Sequence, residues 1–436
     1  MAWAASPDPR RLPPGPVALW PVAYSLFPPL MLRPLDGLTV LDLTRVLAGP
    51  YCTMQLADMG ARVIKIERPG RGDDTRAWGP PFVAGESSYF LSLNRNKESV
   101  AVDFKHPDGR AALDALLQRA DVLVENFSPG TLARLGLGFD ELSARYPRLI
   151  YCSITGYGST GPNKDRPGYD AVAQAEGGLM SVTGPGDGDA YRLGVAIADI
   201  TAGLLATQGI LLALVARGTT GRGQHVDVSL LDAVASLLTY QAGIYFTTGH
   251  PPSRMGNRHP SIAPYDTFPA ADGILVLAVG NDGQWQTFCR IAGLTALADD
   301  GRYATNDGRV HHYASLRPVL EGVLRQRPRH AWIDALVGAG VPCASVRSLD
   351  EVFADPQLLS RGMVEHLQHP SVGALRVLGV PVKLSATPGV VSSPPPRLGE
   401  HTSGVLQEVA GLSADGVDRL AEAGVVQCTG PSAAKE

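Results

Sequence analysis

The residue best placed for covalent chemistry is an aspartate. Ile197-Ala198-Asp199-Ile200-Thr201-Ala202-Gly203 opens the most apolar helix predicted in the chain, from Asp199 to Ala216. An acid in a first helical turn is favoured by the helix dipole, and its ordinary task there is to cap the helix. Among apolar neighbours the same carboxylate is partly stripped of water, which makes it a better nucleophile than a hydrated one. A second set of residues suits anions. Arg68, Arg71, Arg76, Arg95 and Lys97 fall just after predicted strands or in the loops beyond them, and guanidinium forks match phosphate oxygens. Each alone reads equally as a solvated surface charge. A third set is Glu125-Asn126-Phe127-Ser128-Pro129-Gly130. Asn126 can donate and accept hydrogen bonds and Phe127 offers a flat apolar face, both suited to an adenine or a pantetheine chain. Ser128 reads also as a plain turn and helix cap.

Several chemistries are disfavoured. The turn after the first predicted strand is Thr44-Arg45-Val46-Leu47-Ala48-Gly49-Pro50, not GxGxxG, which argues against a nicotinamide or flavin held there. No GxxxxGK[ST], GxSxG or HExxH run occurs. The five cysteines, at 52, 152, 289, 343 and 428, form no CxxC pair, so no metal site is expected, and their odd number and wide spacing fit a reducing, cytoplasmic setting. A net charge of -4 does not suit a general nucleic-acid binder.

The elements that must position these residues follow an alternating rhythm. Leu38 to Leu43 reads as a buried strand, Tyr51 to Met59 as a helix closed by Gly60, and Arg62 to Glu67 as a second strand. That is a βαβ unit, so a parallel sheet is expected. Strands at 100–102, 122–124 and 149–152 and helices at 108–118 and 169–179 continue it. The 199–216 helix is apolar all round and is expected to lie deep in the protein. After Gly221-Arg222-Gly223 come a strand at 225–229 and a helix from Leu230. Thr248 to Pro264 reads as a long loop. A strand at 273–279, helices near 284–291 and 316–324, and a segment at 342–346 pairing with that strand suggest a small α/β domain. Residues 1–30 are proline-rich, and their apolar stretch is broken at Pro21. They make a poor signal peptide or membrane span and read as a disordered extension, with Met31 as the natural start.

A resemblance now joins these pieces. Leu35-Asp36-Gly37, Val40 to Thr44, Ala48-Gly49-Pro50, Val63 to Glu67, Gly72-Asp73, Thr75-Arg76, Asn94 to Lys97, Val124 to Phe127, Gly156-Tyr157-Gly158, Tyr169-Asp170, Asp199 with Gly203, Thr220 to Gln224 and Gly399 to Thr402 together resemble class III CoA-transferases, from about residue 34 to 424. The resemblance implies an α/β fold with a Rossmann-like large domain built from both chain ends and an inserted small domain, in a homodimer whose subunits interlock like linked rings. On this chain the division is 31–228 and 361–436 for the large domain, 229–251 for a linker helix, 252–345 for the small domain and 346–360 for a second linker.

The resemblance also implies CoA exchange between an acyl-CoA donor and a small carboxylic acid, through anhydride and thioester intermediates on Asp199. CoA is then a substrate rather than a resident cofactor, and neither nucleic acid nor membrane is a partner. By position Val46, Leu47, Arg68, Val102, Asn126, Phe127, Arg134 and Tyr169 match the family's CoA-binding set. A family lysine falls on Pro167, leaving Arg166 as a substitute. In place of a glycine run that covers the aspartyl intermediate in some members stands Arg254 to Pro260, where Arg254, Arg258 and His259 are candidates to receive the second carboxylate of a dicarboxylic acid such as succinate or glutarate. The rival on the same fold is an α-methylacyl-CoA racemase, which needs two proton carriers. Those enzymes place a histidine where this chain has Tyr169, and a tyrosine is a poor base there. A non-catalytic CoA-binding protein is the other alternative.

Overall fold

A computed structural model describes residues 32–430; the extension at 1–30 and Met31 lie outside the described residues. Six strands form a parallel sheet: β1 (Thr39–Asp42), β2 (Arg62–Glu67), β3 (Lys97–Val102), β4 (Val122–Glu125), β5 (Ile150–Thr155) and β6 (His225–Ser229). A second, antiparallel sheet holds β7 (Tyr265–Ala270), β8 (Gly273–Ala278) and β9 (Cys343–Ser345). A hairpin follows, β10 (Val364–His369) with β11 (Gly373–Leu378). Finally β12 (Val426–Gln427) returns to pair antiparallel with β3. The first sheet runs β12-β3-β2-β1-β4-β5-β6. Chain direction across it reverses between β1 and β4, where open α/β sheets leave a crevice beyond the strand ends.

Strand side chains alternate between faces, and both faces of this sheet are covered. Val40, Val63, Val122, Val124, Ile150, Cys152 and Ile154 point to a layer made by α1 (Ala48–Asp58), α3 (Ile197–Thr220) and α4 (Leu230–Leu237). Their neighbours Leu41, Ile64, Leu123 and Tyr151 point to the opposite layer, which includes Leu113 and Leu116 from the Pro107–Leu117 helix and Val405, Leu406 and Val417 from the chain's last helices. A third core gathers Phe268, Leu275, Leu277, Trp285, Phe288, Leu316 and Trp332 about β7–β9.

Three expectations need correction. The helix predicted over 169–179 breaks at Gly177-Gly178, where Gly178 is left-handed, into α2 (Asp170–Glu176) and a short turn of helix. The helix from Leu230 is two helices, α4 and Thr239–Thr248. And α3 is not buried deep within the chain: it packs one face on α1 and the sheet, while Leu204, Leu211, Leu212 and Val215 stand exposed on the other. The expected pairing of 342–346 with the 273–279 strand is present, as β9 on β8.

The contact that brings α1 and α3 together is set by one residue. A Cβ on Gly203 would lie 2.7 Å from the Ala48 carbonyl oxygen and 3.1 Å from Tyr51. Gly203→Ala should therefore destabilise the fold by about 1–3 kcal/mol, the usual cost of overpacking, read as a lower urea midpoint.

Candidate active site

The chemistry of Asp199 follows from what caps its helix. α3 begins at Ile197, so Asp199 sits inside the first turn and is not the cap, and the capping position, Ala196, offers no side chain. Asp170, at the start of α2, does that work from outside. Its Oδ1 accepts the N–H of Ala198 at 2.8 Å and that of Asp199 at 3.4 Å. Its Oδ2 accepts from Gln174 at 2.7 Å, and the Gln174 amide oxygen takes the Leu193 N–H at 3.0 Å, which ties down the loop entering α3. The Asp199 carboxylate is left free. Burial pushes its pKa up to about 7, and the negative charge of Asp170 adds to the shift. Tyr89 shares this field: burial first, then the charges of Asp199, Asp170 and Asp73, push its phenol up to about 12.

Facing Asp199 is the turn between β1 and α1. Val46 there has φ +71°, a left-handed conformation that a β-branched residue holds only under constraint, at a cost of about 1–3 kcal/mol. Side chains from four other places hold the turn. Asp42 Oδ1 accepts the Thr44 N–H at 2.9 Å. Lys65 Nζ donates to the Thr44 carbonyl at 2.8 Å. The Asn126 amide both accepts from Arg45 N at 2.9 Å and donates to Arg45 O at 2.7 Å. Asp73 Oδ1 accepts the Val46 N–H at 3.2 Å. Beyond it α1 starts at Ala48 with no side-chain cap; Pro50 has no N–H and Tyr51 N donates to the Leu47 carbonyl at 2.8 Å, so the free first-turn donors are the N–H groups of Ala48 and Gly49.

Two adjoining cavities open here. One of about 210 Å³ is lined by Asp199, Tyr169, Arg166, Asn126 and the Val46–Ala48 turn. The other, of about 400 Å³, is lined by Arg68, Arg71, Lys105, Val102, Leu132 and Leu135 among others. Arg45, Asp74, Phe127 and Ser128 border both, and the Arg45 guanidinium stands 5.2 Å from the Phe127 ring centre. The larger chamber carries Glu67, Asp73, Asp74 and Asp103 beside its cations. Asp74 already pairs with Arg45 and Arg71, which leaves Arg68 and Lys105 as its cations without an acid partner among the described residues. It leads to a narrower chamber that ends at the half-buried Asp199 carboxylate.

The sequence-predicted residues divide accordingly. Val46, Leu47, Asn126, Phe127, Tyr169 and Asp199 line the smaller cavity, and Arg68, Val102 and Phe127 the larger. Arg134 lines neither; it faces a neighbouring depression with Glu125, Ser153 and His225 and donates to Thr131. Asn126 spends its oxygen and one N–H on Arg45, so it shapes the turn. Arg166 pairs with Glu176 at 2.6 Å and lies over Tyr157. Among the five cations read as an anion-binding group, only Arg68 and Arg71 reach a cavity. Arg76 pairs with Glu67 and Arg95 with Asp58, while Lys97 lies in the sheet against Asp42. Arg254 donates to the carbonyls of Pro185 and Gly188, Arg258 to that of Val310, and His259 accepts from Ser261; none lines the Asp199 cavity within this chain. Sequence reasoning passed over Tyr89, Lys105 and the capping role of Asp170. For Asp170 the available signal was an acid opening a helix beside a candidate ligand residue.

Residues 35–402 match the family described as CoA-transferase family III. A succinyl-CoA:glutarate CoA-transferase of Homo sapiens is 45% identical over 395 residues, covering 91% of this chain and 90% of the relative. A succinate–glutarate CoA-transferase of Agrobacterium fabrum is 44% identical over 382 residues, covering 86% and 96%. The crystal structure of a CAIB/BAIF family protein from Brucella suis superposes with a TM-score of 0.79 at 43% identity, over 86% of this chain and 99% of that one. The chain is a member of CoA-transferase family III, and it is an enzyme that handles CoA thioesters.

A carboxyl whose folded pKa is raised makes the fold less stable as pH climbs from the unfolded value to the folded one. With 3.8 as the ordinary value and about 7 in the fold, the penalty is absent near pH 4 and complete above pH 7. Asp199→Asn should therefore stabilise the protein at pH 8 by about 2–4 kcal/mol and by little at pH 4.5, measured by urea unfolding at both.

Proposed function

We propose that this enzyme moves CoA from succinyl-CoA to a second dicarboxylic acid of glutarate type, with Asp199 as nucleophile. The observation that carries the reading is Asp199 itself, a half-buried carboxylate without a cation partner among the described residues, in a cavity that adjoins a larger one holding Arg68 and Lys105. The activities for which the 44–45% identical relatives are named support the substrates. In this reading Arg68, Arg71 and Lys105 hold the CoA phosphates, while Val102, Leu132, Leu135 and Phe127 form an apolar wall for the nucleotide. The pantetheine arm passes Val46, Leu47 and Asn126 toward Asp199, and Tyr169 borders the entrance. Arg134 reaches the phosphates only by turning from its depression.

A carboxylate oxygen of Asp199 attacks the thioester carbonyl carbon of succinyl-CoA. The C–S bond breaks, giving a succinyl–aspartyl anhydride and CoA thiolate. The thiolate attacks the aspartyl carbonyl carbon and succinate departs, leaving aspartyl-CoA. The acceptor carboxylate then attacks that thioester, releasing thiolate and forming a new anhydride. Thiolate attack on the acceptor's carbonyl carbon yields its CoA ester and restores Asp199. No net proton moves. Each addition places negative charge on a carbonyl oxygen, and the unpaired first-turn N–H groups of α1 are the donors suited to it. A raised pKa marks a more basic carboxylate, the better nucleophile toward the thioester carbonyl. No histidine lines the Asp199 cavity among the described residues, so α-proton exchange lacks its usual base.

We further propose the interlocked homodimer, with the large domain formed by 31–228 and 361–436 and the small one by 252–345. The exposed apolar face of α3, together with Tyr240, Tyr245 and Phe246 on the Thr239–Thr248 helix, supports a surface covered by a second copy.

Two tests follow. Hydroxylamine added during turnover should convert Asp199 to a hydroxamate, found by peptide mass spectrometry, and Asp199→Asn should lose at least about 10⁴-fold in exchange rate; a turnover-competent enzyme with Asp199 never modified would end the reading. kcat/KM for succinyl-CoA should rise about tenfold per pH unit below 7 and level off above it, as the attacking form is the carboxylate. For the assembly, light scattering should give twice the 46.0 kDa chain mass, and Val215→Glu should lower it to one.

A further inference from the structure

The Val46 turn raises a question the reaction alone does not answer. A valine in a left-handed conformation would relax unless something outside the turn held it, and a glycine there would need no holding. The holder is Asp73. Its Oδ1 takes the Val46 N–H at 3.2 Å and also the Thr75 N–H and hydroxyl at 2.9 and 2.8 Å. Its Oδ2 lies 2.9 Å from Lys65 Nζ. Both side chains are completely buried, and the same ammonium grips the Thr44 carbonyl on the other side of Arg45. One ion pair therefore reaches both ends of a three-residue turn. Neither Lys65 nor the Asp73 carboxylate is needed to complete the sheet, whose ladder is made by main-chain groups. Their bonds run instead to the segment that delivers the start of α1 to Asp199.

We propose that Asp73, locked by Lys65, is a positioning residue for the transfer reaction: it holds Val46 left-handed so that the free N–H groups at the start of α1 meet the oxygen that becomes negative when Asp199 is acylated. This rests on Asp199 being the nucleophile. Asp73 shares its loop and the larger cavity with Arg68 and Arg71, but its carboxylate is spent on Val46, Thr75 and Lys65 rather than on those guanidiniums, so the pair acts on the transition state more than on CoA binding. Loosening the turn lowers the rate of Asp199 acylation and leaves affinity for the thioester nearly unchanged.

The experiment uses the full-length enzyme mixed rapidly with succinyl-CoA, quenched, and analysed for the adduct on the Asp199 peptide. Asp73→Asn, neutral and equal in size, should acylate about 100-fold more slowly, the scale of a misplaced catalytic geometry, with KM for succinyl-CoA changed less than about threefold. Adding Val46→Gly to Asp73→Asn should recover at least about tenfold of the lost rate, because glycine adopts the turn without a clamp. A structural defect would not be repaired by a glycine. Thr75→Val removes one anchor of the same carboxylate while leaving Lys65 paired, and decides the matter if Asp73→Asn does not fold; it should slow acylation about threefold at constant KM. Wild-type acylation rates in these variants, a loss carried by KM, or no recovery in the double variant would each overturn the proposal while leaving Asp199 as nucleophile. Absence of an adduct in the wild-type enzyme would instead overturn the nucleophile, and this proposal with it.

Discussion

The site depends on a half-buried carboxylate that is denied a cation. A buried acid ordinarily has one. In this protein Asp42 lies against Lys97 and Lys65, Glu67 against Arg76, Asp58 against Arg95, and Asp73 against Lys65. For Asp42, burial alone would push the carboxyl up, yet Lys65 and Lys97 hold it well below the ordinary range. Asp199 has no such partner, and the nearest charge is another acid. That arrangement survives because Asp170 relieves Asp199 of the capping duty its position in α3 would otherwise impose. An aspartate that capped its own helix would have its lone pairs engaged and its charge stabilised, and would attack a thioester poorly.

An unpaired buried carboxyl is a weak guide to function unless geometry accompanies it. Glu125 carries the same signature: burial pushes it up to about 7 without a cation beside it. But one of its oxygens accepts the Phe127 N–H at 2.8 Å, and it faces the depression beside Arg134, away from Asp199. Its evident role is to shape the turn carrying Asn126 and Phe127. What separates Asp199 is the convergence of two helix starts, with Gly203, in the second turn of α3, allowing that helix to touch the first turn of α1. The carboxylate and the free N–H groups of α1 thus belong to one small volume.

Much of this was legible in the sequence, and the boundary has a physical cause. The strands at 62–67 and 225–229 matched their predicted limits, and the βαβ rhythm gave the parallel sheet, because period and punctuation are local signals. Asp199 stood out because one acid begins a long oily run. The supports of the site were hidden because they depend on register. Asp42, Lys65 and Glu67 read as ordinary polar positions of strands and Lys97 as a loop cation suited to anions, and only the alignment of β1, β2 and β3 shows that they face one another. A charged residue inside a strand covered on both faces must find a partner, and that signal in 38–43, 62–67 and 97–102 would have exposed the network. For Asp170 the acid opening a helix was visible, but its reach to α3, 28 residues away, was not.

The helix that presents Asp199 shows why composition misjudged depth. α3 is long and apolar enough to cross a membrane, yet only a third of its most apolar stretch is buried within the chain. Its two ends are fixed by polar chemistry inside the fold. At one end Asp170 holds the N–H groups, and at the other Arg217 pairs with Asp121 at 3.0 Å and donates to the Arg148 carbonyl at 3.0 Å. One face packs on α1 and the strands. A segment held this way is a layer of a globular fold, and the apolarity of its outer face calls for a protein surface more than for lipid. Under the proposed dimer, the cover of that face and the dryness around Asp199 share a helix, so the same run of apolar residues serves both assembly and the reactivity of the carboxylate.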